Sequence, residues 1–82
     1  MNTYNILIAG FERYNERDRV FCLFNFSGFN AFLSWKAFSE HGVSYTTIMK
    51  DLWSDENVEV GRDHEYLKFE PFHFIVLKVL MI

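Results

Sequence analysis

From Tyr4 to Phe11 the apolar positions alternate as a strand requires. Ile6 and Ile8 fall on one side, Leu7 and Ala9 on the other, so both faces can be covered. Glu12-Arg13-Tyr14-Asn15-Glu16-Arg17-Asp18 then loses all hydrophobic period and carries three acids against two bases, which predicts a solvated connection, a long hairpin loop. Arg19 to Phe26 predicts a second strand, with Val20, Cys22, Phe24 and Phe26 facing one way and Phe21, Leu23 and Asn25 the other.

Ser27 suits an N-cap, since its hydroxyl can accept from a free amide of a first helical turn. A helix over 28–41 would end at Gly42, which adopts the left-handed conformation common at helix ends. At 100° per residue, Phe29, Leu33 and Ala37 cluster on one side of it, and Ala31, Phe32, Trp35 and Phe38 on nearly the opposite side. Such a helix needs cover on both faces. Ser44 is a second cap, and Tyr45, Ile48, Met49, Leu52 and Trp53 match the i, i+3, i+4, i+7, i+8 template, which makes 44–54 a candidate cover, although Tyr45, Thr46 and Thr47 favour strand. Val58 to Val60 and His64 to Phe69 read as a hairpin about Gly61-Arg62-Asp63. Pro71 cannot donate to a ladder and marks the start of the last strand, Phe72 to Ile82, which is apolar on both faces and reads as the central one. The expected architecture is therefore α+β: a single antiparallel or mixed sheet of four to five strands with one or two helices on one face, in the order β-β-α-(α)-β-β-β.

Length turns this pattern into a problem of cover. Eighty-two residues make one domain, 1–82, and a chain of that size encloses only about 60–65% of its extended surface. Small folds lean on disulfides, a metal or a partner. One cysteine, Cys22, allows no internal disulfide, and no paired ligand spacing suggests structural zinc. Aromatic residues make up 20% of the chain, ten of them Phe. Each can bury about 150–250 Å², so a small core can hold, with a surplus of the kind that marks an interface.

A net charge of −3, with basic residues scattered, argues against direct nucleic-acid binding. Met1-Asn2-Thr3-Tyr4 offers no basic leader, and the longest apolar run, 72–82, is interrupted by His73 and Lys78 and falls short of the roughly 20 residues a spanning helix needs. A cytoplasmic location with no membrane contact is the expectation.

Chemistry is sparse. His41 suits the last turn of a helix, where a cation is favoured, and His73 suits the edge of a core. His64 has acidic neighbours, but on a strand Asp63, His64 and Glu65 point to alternating faces and do not converge on one ion. Cys22, between Phe21 and Leu23, reads as a buried, inert thiol. Gly10, Gly28, Gly42 and Gly61 form no phosphate loop. No catalytic residue, metal or cofactor is expected. A metal-dependent nucleic-acid-processing enzyme centred on His64 is the weakest reading.

Two features remain. From Asp51 to Glu65 there are six acids and one base, a local net of −5. Such a face accelerates encounter with a basic partner, including one that itself binds nucleic acid. The second feature is the aromatic surplus, since Trp and Tyr are enriched among residues that carry binding energy. Together they nominate Trp35, Phe38, Trp53, Asp51, Asp55, Glu56 and Glu59 as partner-binding residues. Small size, acidity, few glycines, many aromatics and no catalytic motif resemble the composition of small host-directed inhibitors encoded by bacteriophages and mobile elements, anti-CRISPR proteins among them. That resemblance implies a non-enzymatic inhibitor or regulator acting on a macromolecular machine. The alternative is a small homodimeric structural subunit.

Overall fold

The computed structural model of the chain describes residues 1–14, 18–43, 47–59 and 66–80. Its elements are β1 (Ile8–Tyr14), β2 (Arg19–Asn25), β3 (Ala31–Ser34), α1 (Lys36–Ser39), β4 (Ile48–Asp51), β5 (Glu56–Glu59), β6 (Tyr66–Phe69) and β7 (Phe74–Val79). Five strands form one sheet in the order β1-β2-β7-β4-β5, and β3 pairs with β6 in a second. Every pairing is antiparallel. The two-faced apolar strand at the end of the chain is indeed the middle one.

The expected α+β class is thus corrected to a mostly β architecture, seven strands in two sheets with one short helical turn among the described residues. The segment 28–41, expected as a helix, divides into a strand and one helical turn. Ala31 and Leu33 point into the core, while Phe32 is exposed and Ser34 half-buried. The two opposed apolar faces of the helical projection are this alternation, followed by a turn that buries Ala37 and Phe38. Aromatic side chains favour a pleated surface over a helix. Ser27 caps no helix: its hydroxyl donates to Asn25 Oδ1 at 2.7 Å inside a turn. Gly42 does end the helical turn, at φ 77°, with Val43 N–H donating to Phe38 O at 3.2 Å and Gly42 N–H to Ser39 O at 3.1 Å, the bonding pattern of a Schellman motif.

The second expected helix, 44–54, is corrected as well. Ile48–Asp51 is strand β4 and 52–55 is the loop of a hairpin to β5. Asp51 Oδ1 accepts from Trp53 N–H at 2.9 Å and Ser54 N–H at 3.4 Å, and Asp55 takes a positive φ of 62°. Short polar side chains make such turns locally favourable. Ser44 and Tyr45 lie outside the described residues. The expected hairpin about 61–63 does not pair, because β5 joins β4 while β6 joins β3 in the other sheet. Residues 61–63 themselves are outside the described residues. At the other end of the chain, β1 begins at Ile8 rather than Tyr4 and continues to Tyr14, three residues into the segment 12–18 expected as a loop, of which 15–17 lie outside the described residues.

The core lies between the sheets. Phe21, Leu23, Met49, Ile75 and Leu77 on the inner face of the large sheet meet Ala31, Leu33 and Phe69 of the small one and Phe38 of α1. Gly10 leaves room on that inner face: a Cβ there would stand 2.6 Å from Leu23 Cδ2 and 3.2 Å from Met1 Sδ, so those side chains would have to shift. The small sheet and α1 cover only one face of the large sheet. Among the described residues no element packs on the outer face.

Candidate protein-interaction surface

Register brings four loops to one end of the large sheet. Ile8 stands opposite Asn25 and Phe24 opposite Phe74, while Leu52 N–H donates to Val76 O at 2.9 Å. Residues 5–7, 26–30, 52–55 and 70–73 therefore gather together. Their side chains leave large apolar surfaces in water: Ile6 is 91% exposed, Phe29 74%, Trp53 66%, Phe72 63% and Phe26 49%. Single exposed apolar residues are ordinary, but a contiguous group marks an interaction site.

A buried polar side chain at the end of β2 organises this end. Asn25 is fully buried. Its Nδ2 donates to Phe29 O at 2.7 Å and Glu70 O at 2.9 Å, and its Oδ1 accepts from Ser27 N–H at 3.0 Å and Ser27 Oγ–H at 2.7 Å. One amide so ties the 26–30 loop to the 70–73 turn. Phe72 N–H adds a bond to Ser27 O at 3.1 Å. Buried amides of this kind hold a single arrangement when all their groups are satisfied.

The 70–73 turn carries strain. His73 N–H donates to Glu70 O at 3.1 Å across Pro71 and Phe72, and Phe72 has φ 56°. Proline followed by a positive φ is a type II turn, whose third position favours Gly or Asn. A phenylalanine there costs roughly 1–2 kcal/mol. Strained residues cluster at functional sites, and here the strain projects a ring into solvent.

Three acids fringe the rings. Glu70 precedes the strained turn, and Asp55 and Glu56 follow Trp53, all three exposed. Lys50 Nζ pairs with Asp55 Oδ1 at 2.6 Å. The ring of Trp53 lies 6.1 Å from that of Phe74, which lies 6.2 Å from Phe24, so the aromatic surface continues from this end onto the outer face of the sheet.

The residues nominated from sequence therefore part company. Trp53, Asp55 and Glu56 belong to this end. Asp51 is half-buried with one carboxylate oxygen bonded to the loop amides, and the side chain of Glu59 lies outside the described residues. Phe38 is corrected to a core residue with no exposed surface, because its ring packs edge-on against Phe21 at 5.0 Å. Trp35 is half-buried against Phe38 at 5.3 Å, and its Nε1 has no hydrogen-bond partner among the described residues. Sequence reasoning missed Phe26, Phe29 and Phe72. The available signal was Pro71-Phe72, a turn dipeptide that fixes a ring at the surface.

One cluster of titratable side chains is bound together. At the opposite end of the inner face, Glu12 accepts from Arg19 and, at 3.0 Å, from His41 Nδ1, while Arg19 also donates to His41 O. Burial alone would raise the Glu12 carboxyl, but the hydrogen bonds and charges of Arg19 and His41 outweigh it and hold the group below its ordinary value. His73 is exposed and stacks edge-on at 6.0 Å from Phe69, and His64 lies outside the described residues. Cys22, expected buried, is half-buried on the outer face. Among the described residues no group of three or more His, Cys, Asp or Glu could hold a metal ion, and no helix is long and apolar enough to cross a membrane.

No protein-family model, no curated protein and no solved structure matches this chain.

Proposed function

We propose that this chain is a non-catalytic binding protein, an inhibitor or regulator of a larger macromolecular machine, which docks its aromatic end on a protein partner. The observation that carries this reading is the set of exposed rings of Phe26, Phe29 and Phe72, held by the buried amide of Asn25 and projected in part by a strained turn. Preorganised loops lose little freedom on binding, so the apolar contact contributes with a small entropic cost. The acidic fringe of Asp55, Glu56 and Glu70 favours a partner whose apolar patch is bordered by Lys or Arg, and it disfavours a direct contact with phosphates. No cofactor or metal enters this reading. The compositional resemblance to phage-encoded inhibitors agrees with it.

The test uses Phe72→Gly combined with Phe29→Ser, compared with Asp55→Lys combined with Glu56→Lys. Glycine relieves the positive φ at position 72, so the ring variant is expected to stay folded. A partner captured from native lysate by the wild-type chain should be lost by the ring variant at every ionic strength. It should be weakened by the charge variant chiefly at low salt, through a slower association. Equal capture by both variants and the wild type overturns the reading.

A further inference from the structure

The outer face of the large sheet, on which no described element packs, has a regular order of its own. Register places Ala9, Phe24 and Phe74 in one row across the strands, with Trp53 continuing it. A second row holds Phe11, Cys22 and Val76. A third holds Arg13, Val20, Lys78 and Lys50. The aromatic row and the cationic row lie equally far, two residues or about 6.6 Å, on either side of the middle row.

We propose that this face is covered by a second copy of the chain, the two sheets stacked outer face to outer face about a twofold axis that runs along the middle row. A rotation about that axis keeps each strand over its own counterpart and reverses direction along the strands. Lys78 then lies over Phe74 of the other copy, and Lys50 over Trp53, so cations meet ring faces instead of each other. The other in-plane axis, parallel to the strands, sets each row over itself and opposes the lysines. The face is complementary to itself in one orientation only.

Area agrees in scale with the same occupant. Five strands about 4.8 Å apart and four to seven residues long make a face on the order of 24 by 20 Å, roughly 500 Å² in projection. A stable dimer covers about 800 Å² on each copy. Sheets stack about 10 Å apart as in any β-sandwich, and the ion pairs of Lys50 with Asp55 and of Lys78 with Asp18, at 2.6 and 3.1 Å, are exposed enough to adjust at little loss. Phe29 and Phe72 lie in the end loops, outside the stacked rows. The dimer therefore carries two aromatic ends, pointing in opposite directions.

Cys22 is the chain's one cysteine and sits on the axis, which makes the test direct. Light scattering from low micromolar to near-millimolar protein should show a dimer. A short bismaleimide, which adds to two thiols with no leaving group, should join the copies through Cys22. Val76→Asp places a carboxylate against its own counterpart and should give a monomer, and Lys78→Glu, at a half-exposed position paired in the monomer with Asp18, should raise the dissociation constant at least about tenfold while urea unfolding shows the fold retained. A wild-type monomer at all concentrations overturns the proposal, and so does a dimer that Cys22 does not link or that Lys78→Glu leaves unchanged. A monomer that binds an oligothymidylate through these rings overturns it in favour of a single strand. None of these variants touches Phe29 or Phe72, so a monomer that still captures its partner through those rings leaves the proposed function standing.

Discussion

Asn25 offers the sharpest test of how the aromatic end is built. Asn25→Ala removes an amide that makes four hydrogen bonds with no exposure to solvent. Two carbonyls, of Phe29 and Glu70, lose a donor, and two Ser27 donors lose an acceptor. At about 1 kcal/mol for each bond lost, with some access of water to the loops, the change should cost about 3–4 kcal/mol. A chain of this length is stable by about 4–12 kcal/mol, so the variant stands near the edge of folding. Asn25→Asp separates the donors from the acceptors. It keeps the oxygen that accepts from Ser27 and replaces the amine that faces two carbonyls with a second oxygen. Repulsion and burial raise the folded-state pKa of such a carboxyl above its unfolded value of about 3.9. The ionised form is then the destabilising one: the variant is weakest at neutral pH and regains stability as pH falls toward and through the raised folded-state value, where the protonated acid can donate to one carbonyl. Urea unfolding followed by Trp fluorescence, from pH 7 to pH 4, measures both effects. A loss under about 1 kcal/mol for Asn25→Ala, or an Asn25→Asp variant that weakens on acidification relative to wild type, would refute the assignment of Asn25 as the tie between the two loops.

Two further outcomes follow from the inner face. Gly10→Ala forces a methyl group to within 2.6 Å of Leu23 and 3.2 Å of Met1 and Thr3; overpacking of this kind should lower stability by about 1–3 kcal/mol in thermal or urea unfolding, and Gly10→Ala with Leu23→Val should recover part of it. Glu12 is held below its ordinary value of 4.5, so its contribution is present above that value and is lost as pH falls through the lower folded-state pKa; Glu12→Gln should cost about 1.5–3 kcal/mol at neutral pH and flatten the acid limb of the stability curve, whereas an acid limb as steep as that of the wild type would remove Glu12 from its cause.

What could be read in advance tracks how local each cause is. The two strands with strict alternation, Arg19–Asn25 and Phe74–Val79, follow from period alone, but which side faces inward does not: both faces are apolar, Cys22 on the outer one reads as buried, and the fold encloses Phe21, Leu23, Asn25, Ile75 and Leu77 instead. Gly42 follows from chain chirality. The region 28–41 misled because a four-residue strand followed by one helical turn has two apolar sides, as a fully covered helix would. The pairing that resolves the ambiguity joins Ala31 to Phe69 and Ser34 to Tyr66, across more than thirty residues of chain, and no window of sequence contains it. Likewise Tyr45, Ile48, Met49, Leu52 and Trp53 match a helical template, but β-branched Ile48 at the start of β4 and the turn-forming Asp51 favour strand and loop over 48–55. At the candidate site, Trp53 and Asp55 were legible because a tryptophan amid acids is hard to bury. Phe26, Phe29 and Phe72 were not, since phenylalanine is by default a core residue, and only the loop geometry imposed by Asn25 turns them outward.

The distribution of rings also explains how so aromatic a chain of this length can fold before anything covers it. Phenylalanine on the outer face of β1, β2 and β7 still favours the pleated backbone it sits on, through contact with neighbours on the same face, as Phe24 and Phe74 make at 6.2 Å. The inner face supplies the cooperative core, because Phe21, Phe38 and Phe69 are enclosed with the aliphatic residues around them. Enclosing the outer rings as well would require a third layer, and among the described residues β3, β6 and α1 make only the second. The outer rings can therefore assist strand formation without being buried by the monomer. Surface that helps to build a strand and remains uncovered after folding is available for association, and it is the part of this molecule where substitutions should separate binding from stability most cleanly.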